Sequence, residues 1–425
     1  MKKVLVITYY WPPAGGSGVQ RWLKFVKYFR GFGIEPVVYT VENPNYPILD
    51  ESLMGEIPNN LEILRHPIWE PNNLIGLFGK KKKESAGFLN SNPSLFGKLA
   101  HYIRANFFIP DARKFWIKPS VKFLEEYLKE HHIDVIISSG PPHSMHLIAL
   151  KLKKQLGIKW ITDFRDPWTE IDYFHQLPLS KKAIEKHHLL EKEVLKNADA
   201  VLVVGNSMKE KYVKFNKNTL VVTNGYDTEF SDVKTELDTK FTLTHIGLMN
   251  SDRNPKMLWE VLAEIISENK SFANDFELKL IGNVADSVIA DISKFDLIKS
   301  VTLINYVAHN KVVEFQKKAQ VLLLLVNNVV SANQIITGKI FEYLMAKRPI
   351  LAIAPKNGDL AEIINETASG FVVDFEERDL LKKTILNLYS KFKEEELSID
   401  SKNIKQFHRK ELTKKVAQII NSIAE

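Results

Sequence analysis

The chain has 425 residues, of which 45% are hydrophobic and 26% charged, with a net charge of +7. A chain of this length is too long to fold around one ordinary hydrophobic core. It indicates two globular domains of roughly 200 residues each. The absence of cysteine excludes disulfides, a thiol nucleophile and cysteine-ligated metals and fits a reducing compartment. The positive charge favours an anionic partner, such as a nucleotide phosphate or an acidic membrane surface.

Sequence motifs and the lengths of the apolar runs restrict the possible classes of binding partner further. No helix-turn-helix, zinc-finger or RNA-recognition motif occurs, so we expect no nucleic-acid partner. No run approaches the ~18–20 apolar residues of a membrane span. The first apolar run is too short for a signal peptide and better fits a buried strand. We therefore expect a cytoplasmic protein that attaches to the inner face of a membrane only peripherally.

Strand-like apolar runs alternate with helical patterns along almost the whole chain. The runs of the first half are residues 3–9, 36–41, 134–138, 160–164, 200–204 and 220–223, and those of the second half are 241–246, 277–281, 301–304, 321–326, 350–354 and 370–373. Helical patterns between them cover 18–32, 118–131, 145–156, 181–196, 255–269 and 380–392. Such alternation predicts parallel sheets with helices on both faces. We predict an α/β fold of two Rossmann-like, doubly wound domains facing a central cleft.

The domain boundaries follow from a polar segment at residues 231–240 that lacks apolar periodicity. It separates a first domain, 1–230, from a second, 231–399. Residues 400–425 carry Phe407, Leu412 and Val416 at helical spacing. We expect this last amphipathic helix to pack back on the first domain.

An insertion at residues 72–116 interrupts the alternation. It combines apolar and aromatic residues with the lysine run Lys80–Lys83. Basic residues beside apolar ones are typical of segments that lie on anionic membranes. A flexible basic loop followed by an ordinary core-packing helix is the alternative.

A glycine-rich loop, Ala14 to Arg21, follows the first strand-like run and contains Gly15 and Gly16. Glycines let a backbone approach a ligand closely, and the following helix N-terminus favours negative charge. The loop is neither a Walker loop nor a dinucleotide fingerprint, because the required residues are missing. A tight turn that needs small residues is the alternative.

Two further loops of the first domain carry ionisable side chains. His143 follows Pro141 and Pro142, at the start of a helix, where it could hydrogen-bond a sugar hydroxyl or a leaving phosphate. Asp163, Arg165 and Asp166 cluster at the end of another strand-like run. The alternatives are a structurally satisfied histidine and an ion-pair network that holds the loop.

In the second domain, Arg253 follows the first strand-like run, and Gly338 and Lys339 open a helix after the run 321–326. Backbone N–H groups, a helix dipole and a lysine together suit a phosphate, and Arg253 could help neutralise a diphosphate. Glu342 lies on the same helix face as Lys339 and could bind sugar hydroxyls. A solvated surface pair is the alternative for Lys339 and Glu342. All these loops follow strands, and ligands of open α/β sheets bind beyond the carboxyl ends of the strands.

Taken together, these motifs resemble retaining glycosyltransferases of the family 4 class, which have the GT-B fold. The resemblance rests on the glycine loop, the Asp163–Trp168 segment, residues 197–200 with 205–207, residues 224–227 and the Gln334–Glu342 segment. It implies that the C-terminal domain holds a nucleotide-diphosphate-sugar donor and that the N-terminal domain holds the acceptor. We accordingly assign donor binding to Gly16, Arg253, Gln334, Gly338, Lys339 and Glu342, acceptor binding to Gly15, Arg21 and Asp166, and catalysis to His143, Asp163 and Arg165.

Gln334 is the position where this chain departs from the family. The family carries a glutamate there, with seven residues between it and a second glutamate that corresponds to Glu342. A glutamine can hydrogen-bond a sugar hydroxyl but cannot act as a base. We assign no covalent nucleophile, and, since no Asp-x-Asp motif occurs, we expect neither metal nor cofactor.

The resulting hypothesis is a glycosyltransferase that extends a glycan or lipid-linked acceptor in the synthesis of a cell-surface polysaccharide. Two alternatives remain: a nucleotide-sugar epimerase with a GT-B-like fold, and a scaffold that binds a nucleotide sugar without catalysis.

Overall fold

The structure is a computed structural model that describes residues 1–70, 95–171, 174–227, 235–305, 307 and 309–425. The chain divides into two compact units, Met1–Asp227 with His408–Glu425, and Thr228–Phe407. Each unit contains its own parallel sheet with helices, which confirms the predicted pair of Rossmann-like α/β domains. The central cleft stays a prediction.

The first unit is built on a parallel sheet. Its strands are β1 (Lys2–Ile7), β2 (Ile34–Val41), β3 (Glu62–His66), β4 (Val135–Gly140), β5 (Lys159–Phe164), β6 (Ala200–Val203) and β7 (Thr219–Val221). Within the described residues, they pair in the order β3-β2-β1-β4-β5-β6-β7. The sequence predicted all of them except β3. That edge strand is only partly buried and carries Glu62 and Arg65, so its apolar signal is weak.

Helices cover both faces of this sheet. They are α1 (Ser17–Phe29), α2 (Leu95–Phe107), α3 (Ile117–Glu130), α4 (Ser144–Leu156), α5 (Lys181–Asn197) and α6 (Asn206–Tyr212). Val4 and Val6 of β1 join a buried cluster with Trp22 of α1, whereas Leu5 and Ile7 join the cluster on the opposite face. Because successive strand residues point to opposite faces, a strand covered on both sides has a continuous apolar run.

The second unit repeats this plan. Its strands are β8 (Phe241–Ile246), β9 (Phe276–Ile281), β10 (Val301–Ile304), β11 (Val321–Leu325), β12 (Ile350–Ile353) and β13 (Gly370–Val373). Its helices are α7 (Lys256–Glu268), α8 (Lys270–Asp275), α9 (Asp286–Lys294), α10 (His309–Lys318), α11 (Lys339–Ala346), α12 (Asp359–Thr367) and α13 (Arg378–Lys393). The described strands pair in the order β10-β9-β8-β11-β12-β13.

The strand order fixes where ligands can bind in each unit. In both sheets the first strand lies between the second and the fourth, so the order reverses between β1 and β4 and again between β8 and β11. Crevices for ligands form at the carboxyl ends of strands at such reversals. The glycine loop and His143 follow β1 and β4, while Arg253 and Lys339 follow β8 and β11.

The unit boundaries differ from the predicted ones. The chain returns to the first unit at His408, later than the predicted start at 400, because Phe407 packs against Phe341 of the second unit with ring centroids 5.5 Å apart. At the return point, the backbone N–H of Arg409 donates to the carbonyl of Tyr226 at 2.8 Å. Helix α14 (Arg409–Ala424) then packs on α1 and contributes buried Leu412, Val416 and Ile420 to its core cluster.

The insertion at residues 72–116 is described only from residue 95 onward, so Lys80–Lys83 lies outside the described residues. Helix α2 does not have the burial of a core-packing helix, since residues 98–104 are all exposed. In the described parts of the chain, no helix combines the length and the apolar character needed to cross a bilayer.

Candidate functional site

Lys339 occupies the first position of α11, at the carboxyl end of the second unit's sheet. Its side chain crosses Gly247, which follows β8 with φ +111. A Cβ on Gly247 would lie 2.7 Å from Lys339 Cε and 2.8 Å from Nζ, closer than atoms can approach. Glycine at this position therefore makes room for the lysine stem.

His245 holds the end of the Lys339 side chain. The imidazole is fully buried in β8, with Nδ1 at 3.1 Å from the carbonyl oxygen of Leu323 and Nε2 at 3.3 Å from Lys339 Nζ. A carbonyl oxygen can only accept, so Nδ1 carries the proton and Nε2 accepts from the lysine. Burial, followed by the charge of Lys339, holds the pKa of His245 well below its usual range, which keeps the ring neutral.

The pKa of the Lys339 amine lies close to neutral pH. Burial, with a further contribution from Arg253, lowers its pKa to about 7, while Glu342 acts in the opposite direction. A bound diphosphate would stabilise the protonated amine. The site is therefore suited to acquire its full positive charge when an anion binds.

Arg253 ends a 3₁₀ turn, Ser251–Arg253, and its guanidinium is oriented by two neighbours. Nε donates to Asn327 Oδ1 at 3.0 Å, and Nη1 donates to the carbonyl of Leu248 at 2.9 Å. A guanidinium has five donors in a rigid fork. These two contacts fix its plane.

The two other polar side chains of the predicted donor site differ in their partners. Glu342 accepts a hydrogen bond from Gln316 Nε2 at 2.9 Å. Gln334 ends the 3₁₀ turn Ala332–Gln334, and its buried Oε1 has no donor within hydrogen-bonding distance among the described residues. A buried oxygen without a partner costs free energy, so this atom is available to a ligand hydroxyl. Gly338, which precedes α11, is exposed, and apart from its chain neighbours no described residue has an atom within 4 Å of the position that a Cβ would occupy there.

A small cavity of about 210 Å³ lies beside Arg253 at the ends of β11 and β12. Its walls include Leu325, Val326, Ile353 and Phe375. Sites for drug-sized ligands generally occupy roughly 300–1,000 Å³. The cavity is therefore large enough for part of a nucleotide sugar only.

In the first unit, the glycine loop is closely packed. The backbone N–H of Gly15 donates to the carbonyl of Ile48 at 2.9 Å, and a Cβ on Gly15 would lie 2.9 Å from Ile48 Cγ2. Gly16 has φ +88, a backbone conformation that favours glycine. The tight turn considered as the alternative is thus present, and the acceptor and donor roles of these glycines stay predictions.

Arg21 and Asp163 contact each other rather than solvent. Both are fully buried, and Arg21 Nη2 lies 2.8 Å from Asp163 Oδ1. Trp22 Nε1 and Ser139 Oγ also donate to Asp163, at 2.7 and 2.8 Å. The pKa of this carboxyl stays below its usual range because Arg21 and these donors outweigh the opposing effect of burial. Neither side chain has exposed surface for a substrate, so their predicted direct roles find no geometric support here.

Arg165 joins the loops that follow three strands. Its Nη1 donates to the carbonyl of Gly18 at 2.7 Å, its Nε donates to that of Gly140 at 3.3 Å, and its Nη2 donates to that of Pro141. Gly18 lies in the first turn of α1, Gly140 is the last residue of β4 and Pro141 follows it, whereas Arg165 itself follows β5. Asp166 is exposed beside it. The arginine therefore fixes the carboxyl edge of the sheet, while Asp166 remains accessible.

His143 precedes α4 and stacks on Trp168, with ring centroids 4.5 Å apart. Its buried Nδ1 has no hydrogen-bond partner within the described part of the chain, and burial lowers its pKa well below the usual range. A neutral imidazole with an unpaired nitrogen can donate a hydrogen bond to a hydroxyl or accept one from it, depending on the tautomer. Of the three predicted catalytic residues, His143 is the one whose geometry best fits a ligand contact.

In the segment from His245 to Pro255, the sequence alone pointed only to Arg253. No role was predicted from the sequence for His245 and Gly247, the two residues that position Lys339. A histidine inside a buried apolar strand and a glycine directly after it were the available signals. In the described residues, no group of three or more His, Cys, Asp or Glu side chains is arranged to hold a metal ion.

Comparisons with known proteins cover segments of both units. Residues 84–230 match the family model Glycosyltransferase Family 4, and residues 240–391 match Glycosyl transferases group 1. No curated protein matches the chain in sequence.

Solved structures of similar fold include the lipopolysaccharide outer core galactosyltransferase WaaB, with a TM-score of 0.61 and 15% identity over 99% of both chains. A TarM variant from S. aureus, in complex with fondaparinux, alpha-GlcNAc-glycerol and UDP, has a TM-score of 0.54 and 12% identity over 100% of this chain and 98% of its own. A putative UDP-N-acetylglucosamine 2-epimerase from Listeria monocytogenes has a TM-score of 0.56 and 11% identity over 99% and 96%. Together with the family models, which match segments in both units, the fold identifies the chain as a glycosyltransferase of the GT-B fold.

Proposed function

We propose that the chain transfers a sugar from a nucleotide-diphosphate sugar to a glycan or lipid-linked acceptor in the synthesis of a cell-surface polysaccharide. The observation that carries the proposal is the cationic pair at the strand reversal of the second unit. Lys339 is held there by His245, and Arg253 is close enough to lower the lysine pKa. Two cations beside a helix N-terminus suit the diphosphate of a donor.

The chemistry follows from where charge develops. As the bond from the anomeric carbon to the β-phosphate oxygen breaks, negative charge accumulates on the leaving diphosphate, where Arg253 and Lys339 stabilise it. The acceptor oxygen bonds to the anomeric carbon on the same face, and its proton passes to the departing phosphate. We therefore propose transfer with retention of configuration, without a covalent nucleophile, a metal or another cofactor.

The remaining polar groups have supporting roles in this proposal. Gln334 and Glu342 hydrogen-bond donor hydroxyls, the former through its unpaired Oε1. His143 contacts the donor sugar or the leaving phosphate, and Asp166 contacts the acceptor. Arg21, Asp163 and Arg165 act by holding the loops of the first unit in place, because their polar atoms already bind one another or backbone carbonyls.

Two proteins of similar fold support the proposed substrate classes. The S. aureus TarM structure contains UDP and alpha-GlcNAc-glycerol, and WaaB is described as a lipopolysaccharide galactosyltransferase. We propose corresponding classes of donor and acceptor for this chain. A lipid-linked acceptor would be met at a membrane surface, so the proposal includes a cytoplasmic protein attached peripherally to the inner leaflet.

The test begins with a panel of nucleotide sugars screened for thermal stabilisation of the purified protein. A ligand at 100 times its dissociation constant adds ~2.7 kcal/mol of stability. The stabilising donor is then incubated with lipid-linked and glycan acceptors, and the anomeric configuration of the product is read by NMR, with and without EDTA. Retained configuration and activity in EDTA are expected, and Lys339→Ala should abolish transfer.

Other outcomes of the same assay support the alternatives. Conversion of the nucleotide sugar to an epimer without acceptor would show an epimerase, which the fold of the Listeria protein makes worth testing. Donor binding with neither reaction would favour a scaffold. If no nucleotide sugar stabilised the protein, or if Lys339→Ala left transfer intact, the proposal would be wrong.

A further inference from the structure

Helix α2 presents an apolar face to solvent. Leu99, Tyr102, Ile103 and Phe107 are 55%, 45%, 42% and 64% exposed. Their spacing along the helix places them on one side. A helix of this length that gains so little from tertiary burial has little stability of its own in water. A partner that covers this apolar face would therefore stabilise the helix.

An aromatic row extends this face beyond the helix. Phe108 contacts Phe115 with ring centroids 5.7 Å apart, and Phe115 contacts Trp69 at 5.0 Å. Lys114 Nζ donates to the carbonyl of Phe107 at 2.5 Å, so it joins the row to the end of α2. Trp69 and Phe115 are themselves exposed. We call the six exposed residues the α2 strip: Trp69, Leu99, Tyr102, Ile103, Phe107 and Phe115.

The charges around the α2 strip are basic. Helix α2 carries exposed Lys98 and Arg104 and no acidic residue. The start of α5 lies beside it, because Ser180 N donates to Asn106 Oδ1 at 2.7 Å. That helix begins with the exposed lysines Lys181, Lys182 and, one turn later, Lys186, which outnumber the one exposed acidic residue there, Glu185. A partner that covers the strip would consequently meet an excess of positive charge.

We propose that the α2 strip is the face through which the protein docks on an anionic membrane surface. Apolar and aromatic side chains enter the headgroup boundary, while lysine and arginine heads contact anionic lipids. Tyrosine and tryptophan are the aromatic residues preferred at this depth. The inference deepens the proposed function, on which it rests in one respect: a lipid-linked acceptor would be met at this surface.

The charge distribution favours lipid over a second copy of the chain. Two copies facing each other through the α2 strip would bring Lys98 and Arg104 close to the same cations of the partner, and α2 offers no carboxylate to compensate. Each basic residue near an anionic leaflet strengthens binding by about fivefold. The strip therefore gains from an anionic surface in both its apolar and its charged parts.

The test is sedimentation of the full chain with vesicles of phosphatidylcholine alone and with phosphatidylglycerol added. We expect at least tenfold tighter binding to the anionic vesicles, weakened by salt. Ile103→Ser with Phe107→Ser should reduce binding to anionic vesicles by more than tenfold. Lys98→Glu with Arg104→Glu should reduce it by at least about 25-fold, because each position loses about fivefold from the missing basic charge and adds a negative charge that the anionic vesicle repels.

Matched controls lie in the second unit, where Ile298 is 43% exposed beside the exposed Lys299. Ile298→Ser and Lys299→Glu should leave vesicle binding unchanged. All variants should keep the thermal stabilisation by the donor, which shows that they fold. Vesicle binding without donor stabilisation would refute the proposed function and leave the α2 strip as the docking face.

Several results would overturn the inference. Equal binding to both vesicle types, or strip variants that bind like the unmodified chain, would exclude docking through this face. Loss of binding only on replacement of Lys80–Lys83 would assign it elsewhere. A dimer in solution that Phe107→Ser dissociates, without vesicle binding, would show that a second copy covers the strip.

Discussion

Lys339 donates a hydrogen bond to Nε2 of His245 at 3.3 Å, while Nδ1 of the same ring faces the carbonyl of Leu323 at 3.1 Å. The lysine is thereby aligned by a neutral group that neither neutralises nor repels it. A carboxylate in place of His245 would compete with an anionic ligand for the lysine charge. The arrangement keeps that charge available to a diphosphate.

Replacing His245 with phenylalanine should weaken donor binding. The ring is retained, but the acceptor for Lys339 is lost, so the amine is no longer aligned. A hydrogen bond to a charged group contributes about 1.5 kcal/mol, which corresponds to roughly tenfold in the dissociation constant. Calorimetry with the stabilising nucleotide sugar measures the change. Thr244→Val, at the buried neighbouring position of β8, is the control and should bind normally.

Gly247→Ala should weaken donor binding, because Lys339 would have to move its Cε and Nζ away from their present positions. The added Cβ would overlap Lys339 Cε at 2.7 Å, and φ +111 adds backbone strain. Gly157→Ala is the matched control, because that residue also has positive φ, +68, but apart from its chain neighbours no described residue has an atom within 4 Å of a Cβ placed there. Both variants should lose stability, whereas only Gly247→Ala should lose affinity. Equal donor affinities of the two variants would show that the Lys339 side chain does not need the space beside Gly247.

Donor affinity should fall as pH rises through neutrality. The pKa of Lys339 is about 7, so the free protein loses this positive charge above that pH. If only the protonated amine binds, the dissociation constant increases about tenfold between pH 6 and pH 8. A nucleotide-diphosphate sugar is the correct probe, because its phosphodiester groups do not titrate in this range. Lys339→Met should bind weakly and with a flat profile, and a flat profile in the unmodified protein would contradict the prediction.

Asp163→Asn should act on stability before it acts on catalysis. The substitution leaves Arg21 as a buried charge without its counter-ion and should lower the free energy of unfolding by about 3–5 kcal/mol. Removing both charges, with Arg21→Met and Asp163→Leu, should restore part of the loss. Urea titration measures these effects. Unchanged stability of Asp163→Asn with loss of transfer would instead support the direct catalytic role predicted from the sequence.

The first unit should lose stability as the solution is acidified. Burial lowers the pKa of His146 to about 3 and that of His187 to about 4, with His143 lowered as well. The unfolded chain therefore binds more protons, and stability present above pH 6.5 is lost as the pH falls toward the folded-state pKa values. Each such histidine costs about 1.4 kcal/mol at pH 5.5.

Urea unfolding at pH 7.5 and 5.5 checks this expectation through tryptophan fluorescence. Of the seven tryptophans, all but Trp259 belong to the first unit. His146→Gln lowers stability at both pH values but should reduce the difference between them by about 1.4 kcal/mol. A difference that is unchanged in the variant would show that His146 does not contribute.

Much of the fold could be predicted from the sequence. Buried parallel strands have continuous apolar runs, and such runs located β1, β8 and β11. The edge strand β3 was missed because charged residues hide an edge strand in the sequence. The short helices α8 to α10 were not among the helical patterns named from the sequence, because their patterns are brief and tertiary packing stabilises them.

The candidate site was predicted less completely. The loops after β1, β4, β8 and β11 were identified, because ligand loops follow strands in this class of fold. The partners of individual side chains were not. Arg21 and Asp163 were assigned separately to acceptor binding and catalysis, yet they form one buried pair 142 positions apart in sequence.

The sequence by itself determined the fold class, the strand-end loops and the positions of the cations, since these depend on local apolar periodicity and residue type. Only the tertiary structure decided which charged side chains pair with other groups of the protein and which remain available to a ligand. Asp163 is enclosed by Arg21, Trp22 and Ser139, whereas Lys339 meets a neutral imidazole from a strand 94 positions earlier. Such contacts depend on strand order and depth of burial, and local sequence spacing encodes neither.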